Sequence, residues 1–349
     1  MPSMGPSNRS ALIVGLCALM LCPKIALPQC ANWQAHNGSG DKAFHEFKYD
    51  LAQQEYIEAT RLARDNHCDW NYVAVSMMSL ADVYKYEGRY GDSEQLFADA
   101  SRIVEIIPVA KRFPGLDATL LNNLADLYLE MARFSEADGF AKRSIEIRKR
   151  EFGKKSPAYA ISVSTLGAAY LGEGRVSDAE PLFREALAVL SKKRLESSRA
   201  YVEIHLAKML TIQRKRQEAE TEAQLSVDDM KKAGSNHPGL ATALVALASL
   251  ERDAGNYTEA MSNCKLAVAI DTALFKDGHP AIARDLNALA ETYAAQEQYA
   301  EAEPLFQRAL ATRRQILGPA HPDYKTTLED YAKLLRATGR DIEASQLKD

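Results

Sequence analysis

Hydrophobic and polar positions along this chain recur with a long, even period. A leucine, a small residue, two further residues and an aromatic appear as Leu80–Tyr84, Leu124–Tyr128, Leu166–Tyr170 and Leu289–Tyr293, with weaker copies at Leu206–Leu210, Leu247–Glu251 and Tyr331–Leu335. The last residues of these stretches fall at 84, 128, 170, 210, 251, 293 and 335, so the period is 40 to 44 residues. Nine residues past each anchor stands Ser93, Ala137, Ala179, Ala219, Ala260, Ala302 or Ala344. Thirteen and sixteen past it come aromatic or small residues such as Phe97 and Ala100, Phe183 and Ala186, Cys264 and Ala267, Phe306 and Ala309. Spacings of three and four place these residues on one helix face. Each unit therefore predicts a helix, a tight turn and an antiparallel helix, with small residues allowing close approach.

The punctuation agrees. Glu87–Tyr90, Glu173–Val176, Ala254–Tyr257 and Thr338–Asp341 carry glycine where the first helix should end. His-Pro recurs at His237–Pro238, His279–Pro280 and His321–Pro322, with Ser156–Pro157 in an earlier unit, and proline suits the first turn of a helix. Histidines in separate repeats have no second ligand beside them, so no metal and no cofactor is expected. Ala179–Leu187 and Ala302–Leu310 are near-identical copies, and Pro181 and Pro304 should sit in the first turns of second helices without breaking them.

These features resemble the tetratricopeptide repeat. Gln298–Pro322 and Gly174–Leu187 look like the 42-residue variant found in kinesin light chains. The resemblance implies an all-α fold: an α-solenoid of stacked antiparallel helix pairs in a right-handed superhelix, with about seven repeats. Residues 44–66 are expected to be a degenerate first unit, aligned so that Tyr56 and Ala59 fall 34 before Tyr90 and Ser93. The repeat domain is then 44–349, preceded by a signal peptide at 1–27 and a linker arm at 28–43. In the family the groove is lined by residues two, five, six and nine before each anchor. Carried onto this chain, that implies Asp82, Asn122, Asn123, Asp126, Thr165, His205, Lys208, Arg284, Asn287, Glu291 and Lys333. Amide and guanidinium groups among them can hold an extended peptide. The implied function is a non-catalytic scaffold binding a partner protein segment. A self-associating structural protein, a homo-oligomer, and a small-ligand sensor are the alternatives.

Composition narrows the picture. With 46% hydrophobic and 26% charged residues the chain can build a real core, and a net charge of −4 supplies no basic stripe for nucleic acid. The apolar run Ala11–Cys22 after Arg9 is too short for a membrane span and suits an export signal, so the protein is expected to be secreted or in the periplasm or cell envelope. No stable membrane span is expected once that signal is removed. Outside the reducing cytosol, Cys30 and Cys68 form the candidate disulfide, whereas Cys264 falls at a core position. Asn37–Ser39 and Asn256–Thr258 read as glycosylation sequons. No nucleophile elbow, phosphate loop or zinc-helix motif is present, so no catalytic residue is expected.

Overall fold

The computed structural model describes residues 30–193 and 195–347. The stretch 1–27, expected to be a signal peptide, lies outside the described residues. Sixteen α-helices and no strand occur among the described residues, packed as consecutive pairs. They are α1 (Ala31–His45), α2 (Tyr49–Asp65), α3 (Trp70–Tyr86), α4 (Tyr90–Ile106), α5 (Leu116–Glu130), α6 (Phe134–Phe152), α7 (Pro157–Gly172), α8 (Val176–Leu190), α9 (Glu196–Ile212), α10 (Arg216–Ala233), α11 (Pro238–Asp253), α12 (Tyr257–Leu274), α13 (Pro280–Ala295), α14 (Tyr299–Ile316), α15 (Pro322–Ala337) and α16 (Asp341–Gln346). The chain divides into two compact units between Arg199 and Ala200. No helix of the described residues is long and apolar enough to cross a membrane.

One turn geometry closes every pair. Four residues past each anchor the backbone enters the left-handed region: at Phe47, Gly88, Ala132, Gly174, Arg214, Gly255, Glu297 and Gly339, with φ between 54° and 82°. The next residue donates its backbone N–H to the carbonyl of the anchor. Lys48 bonds Ala43, Arg89 bonds Tyr84, Arg133 bonds Tyr128, Arg175 bonds Tyr170, Lys215 bonds Leu210, Asn256 bonds Glu251, Gln298 bonds Tyr293 and Arg340 bonds Leu335, all at 2.8–2.9 Å. This bond satisfies an orphan carbonyl at the helix end. Where the anchor is tyrosine in the first unit, the residue making the bond is arginine. Arg89, Arg133 and Arg175 stack over Tyr84, Tyr128 and Tyr170 at 3.9, 4.1 and 3.6 Å from the ring centroid.

These turns correct the expected start of the repeats. The arm proposed at 28–43 is helical from Ala31, and α1 pairs with α2 as a complete unit. Its anchor is Ala43, so its register is 41 residues before the next unit and not 34. Ala52, Tyr56 and Ala59 take the places of Ser93, Phe97 and Ala100, and all six are buried. Gly40 stands where Ala81 stands in the next unit. A Cβ on Gly40 would meet the Tyr56 ring at 2.7 Å, and one on Gly167 would meet the Phe183 ring at 2.8 Å. The same close approach is thus made twice. Cys30, just before α1, and Cys68, just after α2, are joined by a disulfide with Cα atoms 6.0 Å apart, which pins both ends of this hairpin.

The small and aromatic positions of the second helices are buried as their spacing requires, from Ser93 through Ala344. Where serine replaces alanine, its hydroxyl bonds a first-helix carbonyl: Ser144 to Ala118 at 2.8 Å and Ser226 to Ala200 at 3.0 Å. Pro181 and Pro304 lie inside α8 and α14, which run through them. The periodic histidines cap helices. Nδ1 of His237, His279 and His321 accepts the backbone N–H two residues on, at 2.9, 3.1 and 3.1 Å, with proline in the first turn. The two sequons differ: Asn37 is buried and its amide donates to Asp41 at 3.4 Å, while Asn256 is exposed in a turn.

Candidate binding face

In the unit ending at Arg199, the residues nominated for a groove stand on α3, α5 and α7. Asp82, Asn122, Asn123 and Thr165 are all buried. Their polar groups are used between neighbouring first helices. Asn123 Nδ2 donates to Asp82 Oδ2 at 2.7 Å across 41 residues of sequence. Asn122 Oδ1 accepts from Ser162 Oγ at 2.8 Å and from Thr165 Oγ1 at 3.5 Å. Ser162 in turn accepts from Arg148 Nη1 at 2.9 Å, and the same nitrogen donates to Ala158 O at 2.8 Å. Arg148 lies on second helix α6, so the chain of donors runs from one repeat into the first helix of the next and back.

The unit beginning at Ala200 repeats the arrangement. Asn287 Oδ1 accepts from Thr327 Oγ1 at 2.8 Å, and Thr327 accepts from Arg313, which also donates to Asp323 O at 2.8 Å. Asn122, Arg148 and Ser162 recur as Asn287, Arg313 and Thr327 at one constant offset. A related form joins α1 to α3, where Trp33 Nε1 donates to Ser76 Oγ at 2.7 Å and Ser76 donates to Asn37 Oδ1 at 2.9 Å. Sequence reasoning missed Arg148, Ser162, Arg313, Thr327, Trp33 and Ser76. The constant offset of the two trios was the signal that could have found four of them.

Two charged clusters remain on the first helices. On α3 and α5, buried Lys85 pairs with Asp126 and stands 3.6 Å from Asp82 Oδ1. Burial pushes Asp82 up to about 7, while Lys85 pulls it down and Asp126 pushes it further up. Asp126 keeps 44% of its side chain exposed, which makes it the outward-facing member. On α11 and α13, Arg252 pairs with Glu291, and Asn287 Nδ2 donates to Glu291 Oε1 at 2.5 Å. Burial raises Glu291, against the pull of Arg252. Lys333 is well exposed and pairs with Asp330 at 2.8 Å.

Arg284 does not stand open. Its guanidinium donates to Thr242 Oγ1 at 2.8 Å, to Asp285 Oδ1 at 2.7 Å and to Asp271 Oδ2 at 2.9 Å. On α9, His205 is half-buried and Lys208 is exposed. The amides and the guanidinium nominated as peptide holders are therefore fasteners between helices, and the exposed charges are Asp126, Lys208 and Lys333. Cys264 is buried on α12 with its thiol pushed up to about 12 by burial, which suits an inert core position. No group of three metal-ligating side chains is gathered among the described residues.

Comparison with known proteins agrees with the repeat geometry. A family model for the tetratricopeptide repeat matches residues 116–192, 240–315 and 286–348, together more than half of the chain. No curated protein matches the chain. Among solved structures, a Rap protein complexed with Competence and Sporulation Factor has 13% identity and a TM-score of 0.63, covering 90% of this chain and 95% of that one. NprR in complex with its cognate peptide NprX has 13% identity and a TM-score of 0.55, covering 91% and 96%. The nearly identical TPR-like repeats of a kinesin light chain candidate from Podosopora anserina have 24% identity and a TM-score of 0.43, covering 56% and 94%. By the family model, its turns, its helix pairs and its spacing, the chain belongs to the tetratricopeptide repeat family, in the 42-residue form that resembles kinesin light chains.

Proposed function

We propose that the chain is a non-catalytic scaffold that holds a segment of a partner protein against the exposed charges of its first helices. The observation that carries this reading is the contrast within those helices. Asn122, Asn123, Arg284 and Asn287 are committed to neighbouring helices, whereas Asp126 keeps an exposed carboxylate beside a buried ammonium. Preformed faces of this kind bind peptides without first ordering themselves. Support also comes from NprR, whose fold matches nine-tenths of this chain and which was solved with its cognate peptide. The test is selection from a random peptide library on the immobilised protein. Enrichment of a sequence family that Asp126→Asn or Lys333→Ala weakens supports the reading; enrichment of nothing above a blank surface opposes it.

The proposal includes export to the cell envelope or the outside. The Cys30–Cys68 disulfide supports it, because such bonds persist in oxidising compartments, as does the short apolar run that precedes it. Fractionation of the producing cell with thiol labelling tests it. Envelope or secreted protein with blocked Cys30 and Cys68 agrees; cytosolic protein with both thiols labelled disagrees.

A further inference from the structure

Junctions between successive repeats share one position, reached by the end of a second helix and the start of the next first helix. At the α6–α7 junction it holds Arg148 and Ser162, and at the α14–α15 junction Arg313 and Thr327. In both, a guanidinium donates to a hydroxyl fourteen residues on, and that hydroxyl donates to an asparagine of the preceding first helix. At the α4–α5 junction the same position is apolar, with Val104 and Leu120 both buried. The α12–α13 junction departs from all of these. Asp271 stands in the arginine place and Asp285 in the hydroxyl place. Val245 stands where Asn122 and Asn287 stand, so the acceptor is missing as well.

Both carboxyl groups are fully buried. Arg284 donates to one oxygen of each, Asp271 Oδ2 and Asp285 Oδ1. The remaining oxygens, Asp271 Oδ1 and Asp285 Oδ2, have no hydrogen-bond partner. Two buried carboxylates facing one guanidinium leave one negative charge uncompensated, which a low-dielectric interior strongly disfavours. A single proton held between the two side chains, which interact with each other, removes that charge and supplies the hydrogen bond that the arginine–hydroxyl pair supplies elsewhere. We propose that Asp271 and Asp285 form a proton-dependent clasp between α12 and α13, closed while one carboxyl is protonated and opened when the proton leaves.

The surrounding groups give the pair this property. From α11 comes the uncharged Thr242 hydroxyl, which is held by Arg284. From α12 comes the Cys264 thiol, whose own ionisation Asp285 opposes. From α13 comes Arg284, and from α14 the Arg313 guanidinium, which feels Arg284. Burial pushes Asp271 up to about 8, with Arg284 pulling it down and Asp285 raising it; Asp285 is also raised by burial. Both shifts lie above the ordinary carboxylate value, so the folded pair holds its proton where the unfolded chain has lost it. Stability from the clasp is complete below about pH 4 and is lost as pH rises towards about 8.

Amide hydrogen exchange of the full-length protein, corrected for intrinsic rates, tests the clasp. Protection of α12 and α13 should fall by up to about tenfold per pH unit as the pH rises from 6 to 8. In Asp271→Asn the carboxamide donates at every pH, so protection there should stay level. Asp285→Asn leaves Asp271 to neutralise Arg284 and should also be level. A slope in both variants equal to that of the unmodified protein would overturn the proposal, as would no slope in the unmodified protein. Because exchange is read at α12 and α13 without any partner, failure here is separate from failure of the binding reading.

Discussion

Asn122 accepts the hydroxyl of Ser162, forty residues further along the chain, at 2.8 Å, and Asn287 accepts that of Thr327 in the same way. A carboxamide on a first helix thus serves the next repeat. Each clasp leaves buried donors behind if one member is removed. Asn122→Ala, Asn287→Ala and Arg148→Met should each lower stability by about 1–3 kcal/mol in urea unfolding. A double-mutant cycle between Asn122 and Ser162 should show coupling of about 1 kcal/mol. Additive effects would assign the two residues separate roles.

The recurring left-handed turn gives a prediction of opposite sign. Ala132, Arg214 and Glu297 hold φ of 54°, 60° and 60° at positions where other repeats use glycine. A side chain in this region costs about 1–2 kcal/mol. Ala132→Gly should therefore stabilise the protein by about 1 kcal/mol, and Gly88→Ala should destabilise it by a similar amount. Denaturant midpoints of the two variants check both directions.

Gly167 is required for a different reason, the approach of a ring. With a Cβ placed 2.8 Å from Phe183, Gly167→Ala should cost about 1–3 kcal/mol through overpacking. Adding Phe183→Leu should recover part of that loss, which thermal unfolding of the single and double variants will show.

His237 gives the chain a contribution that acid removes. Its imidazole accepts the Gly239 N–H and is held near pKa 4 by burial, below its usual 6.5. A lowered histidine contributes stability above about pH 6.5, and that stability disappears as pH falls towards about 4. His237→Asn should keep the cap and lose this acid dependence, while His237→Ala should cost about 1 kcal/mol at neutral pH. Urea unfolding at pH 7 and pH 5 separates the two outcomes.

Four repeats are legible because Leu, a small residue and an aromatic survive at their anchors, and three more because their weaker anchors keep the period. The first is misplaced because Ser39 and Ala43 replace the leucine and the aromatic, leaving no anchor pattern on α1. Its register slipped from 41 to 34 for a geometric reason. Seven residues are close to two helical turns, so the buried stripe of α2 fits either alignment. What the side chains of the first helices do is not readable from spacing alone. Whether Asn122 meets a ligand or Ser162 depends on a contact forty residues away, which spacing within one helix does not encode.

The most direct test measures stability and affinity on the same variants, using a peptide recovered by library selection. Asn122→Ala should lower the unfolding midpoint while leaving the Kd within about twofold, since Asn122 is buried against Ser162. Asp126→Asn or Lys333→Ala should raise the Kd at least about fivefold, corresponding to about 1 kcal/mol, with little change in the midpoint. The reverse pattern, with binding lost at Asn122 and unchanged at both exposed charges, would contradict the account.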